Sequence, residues 1–150
     1  MGPYRFMLSQ LLSTTGIDLS MCNLYLRFKR SFVTFHTTIY DEPFKCQSFI
    51  ISFLNPGDIS IYYGNIILFV RIQTLVYAVV QKYVQGEKYI TDYVDVPVAI
   101  HSKANQIFPL LRLSDQFDII PVELIRHKCI SIPVDSLYCL TEIRIDYEHD

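Results

Sequence analysis

Apolar residues in this chain fall in short, dense runs rich in Ile, Val, Tyr and Phe. The clearest is DISIYYGNIILFVRIQTLVYAVVQKY, residues 58–83, where two apolar runs are broken by Gly64-Asn65 and by Gln73-Thr74. β-branched and aromatic runs punctuated by turn residues predict consecutive β-strands of a small barrel or sandwich.

Upstream, residues 3–12 predict a short helix ended near Gly16, after which 24–28 and 32–40 resume an extended pattern. Asp41-Glu42-Pro43 reads as a turn, 46–54 as an apolar strand, and Asn55-Pro56-Gly57 as its end. A short strand at 59–63 is then expected to turn at Gly64-Asn65 into a strand at 66–72, followed by another at 75–84 that runs into Gln85-Gly86-Glu87. Val94, Val96 and Val98 alternate with Asp95 and Pro97, which predicts a loop followed by an edge segment, because proline cannot donate to an interior ladder. The remaining expectations are strands at 107–113, 129–132 and 137–140, an apolar pair Ile119-Ile120, a bend led by Pro121 over 122–125, and a turn at 133–136. Turn signals spaced about eight to twelve residues apart favour an all-β architecture over alternating β-α units. The expected fold is a small, partly open β-barrel over residues 45–145, preceded by a short helical or irregular extension or first strands over 1–44 and followed by an acidic tail over 146–150.

The 150 residues are 51% hydrophobic, enough for one domain with a real core. Charged residues supply 19%, below the usual quarter, which predicts that part of the surface is covered by another chain or by a missing part of the same chain. Net charge is -2, so the chain as a whole has little attraction for a phosphate backbone. The tight basic cluster is Arg27, Lys29 and Arg30, which serves either as a charged edge or turn or as a contact for phosphate or acidic peptide. The most apolar stretch, 66–80, is 15 residues long and contains Arg71 and Gln73. A spanning helix needs roughly 20 apolar residues, and a central Arg costs about 3 kcal/mol, so two buried strands are expected there instead. The opening MGPYRFMLSQLLSTTG has too weak an apolar core for a signal peptide.

Candidate chemistry is sparse. Cys22, Cys46, Cys129 and Cys139 contain no CxxC spacing, so buried thiols are favoured over structural zinc or a disulfide scaffold. His36, His101, His127 and His149 contain no pair at metal-ligand spacing. In HKC, His127 and Cys129 share one face of a strand, which is the geometry of a metal pair or thiolate dyad, or of an exposed histidine beside a core cysteine. Asp92 with Asp95, and Asp115 with Asp118, offer paired acids that read more simply as turn residues. Gly57 and Gly64 belong to no phosphate-binding pattern and are expected in tight turns. Tyr62, Tyr63, Tyr77, Tyr83, Tyr89 and Tyr93 could gather rings at one barrel mouth, although alternation would let only one of Tyr62 and Tyr63 enter any given pocket.

Asp58, Gly64, Ile66, Val76 and Tyr83, followed by Pro121, Ile125, Lys128, Cys129, Ile132 and Pro133, form a pattern that resembles a β-rich segment near the carboxyl end of transposase-like proteins in animals and fungi. The strings are GDISIYYGNIILFVRI and FDIIPVELIRHKCISIP, over roughly residues 45–145. Such segments look like small barrels of the bromo-adjacent-homology type. The resemblance implies a binding or architectural module of a mobile-element-derived, chromatin-associated protein, intracellular and nuclear, whose catalytic acids would lie in a separate upstream domain. The chain departs from an aromatic-cage reader in lacking Trp.

The residues and the resemblance together lead to a non-enzymatic protein-interaction or architectural module, with no catalytic residue, metal or cofactor assigned. Its expected partner is a protein or peptide, either a larger host chain or a second copy, and not a membrane. Recognition is expected at one barrel rim, in the loops at 55–58, Gly64-Asn65 and 86–94. Two other readings compete. One is a small cysteine-dependent hydrolase using Cys129 or Cys139 as nucleophile and His127 or His101 as base, and the other is a weak nucleic-acid-binding module using the basic cluster.

Overall fold

The computed structural model describes residues 4–16, 19–39 and 48–143. The expected turn at Asp41-Glu42-Pro43, Cys46 with the start of its strand, His149 and the acidic tail lie outside the described residues. Helix α1 (Tyr4–Thr15) ends at Gly16, whose φ of 68° is the left-handed turn that favours glycine after a helix. Among the described residues nine strands follow: β1 (Cys22–Tyr25), β2 (Arg27–Arg30), β3 (Val33–His36), β4 (Ile50–Leu54), β5 (Ile61–Ile72), β6 (Leu75–Gln85), β7 (Leu110–Pro121), β8 (Ile125–Val134) and β9 (Leu137–Ile143). A second helix, α2 (His101–Ile107), lies between β6 and β7.

The strand order β5-β4-β8-β9-β7-β6 returns to β5 through the β5–β6 pairing, so six antiparallel strands form a closed barrel. The all-β barrel expected from the sequence is present, and its ring is closed where a partly open one was expected. Closure rests on a narrow seam: β7 meets β9 only at Leu110–Cys139 and Leu111–Tyr138. β1 extends the sheet beside the second half of β5, while β4 pairs with the first half.

One cluster takes a residue from each ring strand in turn, namely Ile50, Tyr63, Tyr83, Leu111, Leu140 and Cys129, and therefore marks the barrel interior. The opposite face of β4–β6 is buried as well. Ile51, Phe53, Ile66, Phe69, Ala78 and Val80 pack there under the β2–β3 hairpin, which contributes Phe35 and Phe28. A third cluster, containing Ile67, Leu68, Val70, Ile72 and Val79, is covered by Leu8 of α1. Neighbouring residues such as Ile50/Ile51, Ile66/Ile67 and Val79/Val80 thus bury to opposite sides. That is why these segments read as continuous apolar runs and not as alternation.

Three expectations are corrected. Gly64-Asn65 is not a turn but the middle of β5. Gly64 sits there because a Cβ would run into Val80 Cγ1 and stand 2.8 Å from the Gln81 carbonyl oxygen, so close strand packing, not a turn, requires glycine. The actual turn is Gln73-Thr74, with Gln73 at φ 56°. Residues 94–98 form no edge strand. Pro97 precedes a 3₁₀ turn (Val98–Ile100) that leads into α2, and Val98 is 82% exposed. The expected pieces at 107–113 and 119–120 are a single strand, β7, which carries a bulge at Ser114, Asp115 and Gln116. Ser114 fills that bulge: its Oγ donates to the Lys82 carbonyl at 2.7 Å, and its own carbonyl accepts from Gln81 Nε2 at 2.9 Å.

Candidate functional site

Of the grooves on the described surface, two gather the aromatic and basic residues singled out in the sequence. The larger, about 740 Å³, lies where the start of β5, the end of β6 and α2 converge. It is lined by Tyr62, Tyr63, Tyr83, Lys82, Gln85 and Gln106, among others. The approach to β5 is a tight turn: Asp58 N–H donates to the Asn55 carbonyl at 3.1 Å, and Gly57 takes φ 82° after Pro56. The loop after β6 is tied to α2, because Thr91 N–H donates to Asn105 Oδ1. Of the three loop regions expected at a rim, the turn at Asn55–Asp58 leads into this groove and the 86–94 loop leaves β6 beside it. Gly64-Asn65 does not belong to the rim.

Charges and rings at this mouth are engaged with one another. Lys82 Nζ lies 3.1 Å from Asp118 Oδ2 and 6.0 Å from the centre of the Tyr62 ring. Tyr62 Oη donates to Asp58 Oδ2 at 3.2 Å, which pushes the phenol's pKa up. The Ser60 N–H and hydroxyl, at 2.9 Å each, hold Asp58 below its ordinary value. Tyr63, half-buried, is pushed up to about 12 chiefly by desolvation and remains a neutral hydrogen-bond donor. Tyr62 and Tyr63 both line the groove, contrary to the expectation that only one could. They form no open cage. Lys82 occupies the face of Tyr62, Lys88 lies over Tyr93 at 5.5 Å, and Tyr83 meets Tyr138 edge-on at 6.2 Å.

The second groove, about 410 Å³, lies between β2 and the β5–β6 turn. Arg27, Lys29 and Arg71 line it together with Tyr25, Phe28 and Phe69, and among the described residues no carboxylate lines it. The basic cluster expected from sequence is therefore divided. Pairing with β3 turns Phe28 and Arg30 toward the barrel and Arg27 and Lys29 away from it. Arg30 donates to the carbonyls of Val122 at 3.0 Å and Ile125 at 2.7 Å and lies 5.7 Å from the Phe35 ring, so it anchors the hairpin to the β7–β8 connection. Arg71 takes its place in the groove. In the sequence it weighed only against a membrane span, and its approach to Arg27 depends on the long-range β1–β5 pairing.

The candidate nucleophiles are buried thiols. Cys129 is buried inside the barrel. Desolvation first and the Glu142 carboxylate second push its thiol up to about 12, only partly offset by the Ser52 hydroxyl. Burial also raises the Cys139 thiol. Neither holds the low-pKa, accessible thiolate that nucleophilic attack requires. His101 Nε2 is within 2.8 Å of the Val96 carbonyl oxygen in the β6–β7 connection, and His127 lies on β8 beside Ser52, whose Oγ accepts its backbone N–H at 3.3 Å. The paired acids are used locally: Asp92 Oδ2 accepts the Tyr89 N–H at 2.8 Å, and Asp118 pairs with Lys82. Among the described residues, no three His, Cys, Asp or Glu side chains come together to hold a metal ion. No described helix is long and apolar enough to cross a membrane.

The fold defines a closed, six-stranded antiparallel β-barrel. Comparison of the chain with family models and with curated proteins finds no match in either.

Proposed function

We propose that this chain is a non-enzymatic binding module that accepts an extended stretch of polypeptide in the groove between β5, β6 and α2. The observation carrying this reading is the lining of that groove. Rings of Tyr62, Tyr63 and Tyr83 lie beside the amides of Gln85, Asn105, Gln106 and Gln116, a set that offers apolar contact and both hydrogen-bonding senses to a peptide backbone. Ile59, 94% exposed at the lip, adds apolar surface that a bound chain would cover. The resemblance to the carboxyl-terminal segment of transposase-like proteins supports a chromatin-associated host, and histone tails are the extended peptides such a setting supplies. Because Lys82 already lies over the Tyr62 ring and Tyr83 packs edge-on against Tyr138, recognition proceeds through backbone and amide contacts and not through a cage for a methylated lysine.

Titration of isotopically labelled protein with a panel of histone-tail and unrelated unstructured peptides, followed by two-dimensional NMR, tests the reading. The expected result is saturable shifts confined to residues around 59–63, 82–85 and 105–106, weakened at least tenfold by Gln85→Ala combined with Gln106→Ala. Shifts absent across the panel, or clustered elsewhere, would refute it.

A further inference from the structure

The cations of the smaller groove face solvent. Arg27 and Lys29 are exposed and stand two residues apart on one face of β2. The strand rise sets them about 7 Å apart, a separation like that of successive phosphates in an extended single strand. Arg71 faces them from β5. Its Nε donates to the Gln73 carbonyl at 3.0 Å, which holds the side chain against the turn while its terminal nitrogens remain available as a fork. Phe28 and Phe69, with ring centres 5.5 Å apart, pack beneath the groove as part of the core, Phe69 fully buried, and the Tyr25 ring, 41% exposed, stands at the edge.

We propose that this groove binds single-stranded nucleic acid, with phosphates held by Arg27, Lys29 and Arg71 and a base stacked on Tyr25. Three cations, with no carboxylate among the described lining residues, match a repeated anion better than the single phosphate of a phosphopeptide. An exposed ring beside them matches a flat base, which an acidic peptide lacks. A duplex keeps its bases stacked inside and cannot present one to Tyr25. With a net charge of -2 the protein has no broad attractive field, so binding depends on these few contacts. This site is separate from the peptide groove, and either can fail without the other.

Fluorescence anisotropy with labelled 12-nucleotide single strands of DNA and RNA, the matching duplexes and a phosphoserine peptide, from 50 to 200 mM KCl, decides the matter. Single strands are expected to bind at least tenfold more tightly than the duplex or the peptide, with affinity falling as roughly the second power of salt for three phosphate contacts. Combined R27Q, K29Q and R71Q should weaken binding at least 30-fold and flatten the salt dependence. Tyr25→Ala should weaken it about tenfold and leave the salt dependence unchanged. All four side chains are exposed, so circular dichroism and melting should match the parent protein. Absence of strand binding at 50 mM KCl, equal or tighter binding of the duplex or phosphopeptide, or full binding by the triple variant would each overturn the proposal.

Discussion

The β2–β3 hairpin has cations on both sides, and the two sides use them differently. On the barrel side, Arg30 spends its guanidinium on two main-chain carbonyls, and Arg126 lies 3.7 Å from Glu142. The ring of Phe35 lies between Arg30 and Lys128, at 5.7 and 5.8 Å. On the other side, Arg27 and Lys29 look across a groove at Arg71 with no carboxylate among its described lining residues. Arg27 and Arg30 are three residues apart and chemically identical. The pleat of one short strand is enough to make one a fastener and leave the other for a ligand. Proximity in sequence is thus a poor guide to which charges act together.

The largest expected effect tests the fastening side. Arg30→Met keeps most of the apolar stem but strands the carbonyls of Val122 and Ile125 at a half-buried junction, a loss of about 3 kcal/mol. For a domain of this size that is roughly a 6–12 °C drop in melting temperature. Arg27→Met and Lys29→Met, measured in the same way, should each stay within about 0.5 kcal/mol of the parent protein. Equal losses at all three positions would erase the distinction between the two sides.

Where the sequence was legible, one element carried its own signal. Helix α1 with its stop at Gly16, the end of β4 at Asn55-Pro56-Gly57 and the long apolar runs of β5 and β6 were all visible, because glycine, proline and β-branching act locally. Where it misled, a long-range contact decided. Gly64-Asn65 has the chemistry of a hairpin turn, yet Gly64 answers to Val80 and Gln81 on the neighbouring strand. The three two-residue hairpins turn instead at Ser31, Gln73 and Asp135, each with positive φ near 55° and none followed by glycine. The polar residues 114–116 concealed the continuity of β7, because a bulge held by Ser114 looks in sequence like a loop. The smaller groove was half legible for the same reason: Arg27 and Lys29 are local, and Arg71 joins them only through pairing 48 residues away, Asn23 with Arg71.

A middle-sized effect tests whether the barrel interior behind Arg126 and Glu142 is sealed. The Cys129 thiol is raised from 9.0 to about 12, so between those values the folded chain keeps a proton that the unfolded chain releases. The stabilisation is complete below about pH 9 and drains away as pH rises, by about 1.4 kcal/mol per unit at most until the folded value is reached. Tyr63, raised from 10.0 to about 12, steepens the decline in the upper part of the same window. Urea unfolding from pH 8 to 11 should show this fall, and Cys129→Ala should reduce the part that begins near pH 9, leaving the share of the Cys139 thiol, which burial also raises. A flat stability profile, or one identical in the variant, would mean that water reaches the thiol.

The smallest expected effect falls at the rim, where the ion pair Lys82–Asp118 is the nearest counterpart of the Arg30 fastening. Its partners differ in one respect: Lys82 and Asp118 keep 20% and 33% of their side-chain surface exposed, so either can be hydrated when the other is lost. Lys82→Met retains the stem's packing and gives up the ion pair and the contact with Tyr62, for about 1 kcal/mol or less. Asp118→Asn should cost a similar amount, and the double variant should show a coupling of about 0.5 kcal/mol that shrinks when salt is raised. Arg30 should show no such salt dependence, since its partners are carbonyl dipoles in a half-buried junction. A salt-insensitive coupling above about 2 kcal/mol would instead make Lys82 a fastener like Arg30. The rim would then be a rigid wall, and its lysine would be unable to move aside for a bound chain.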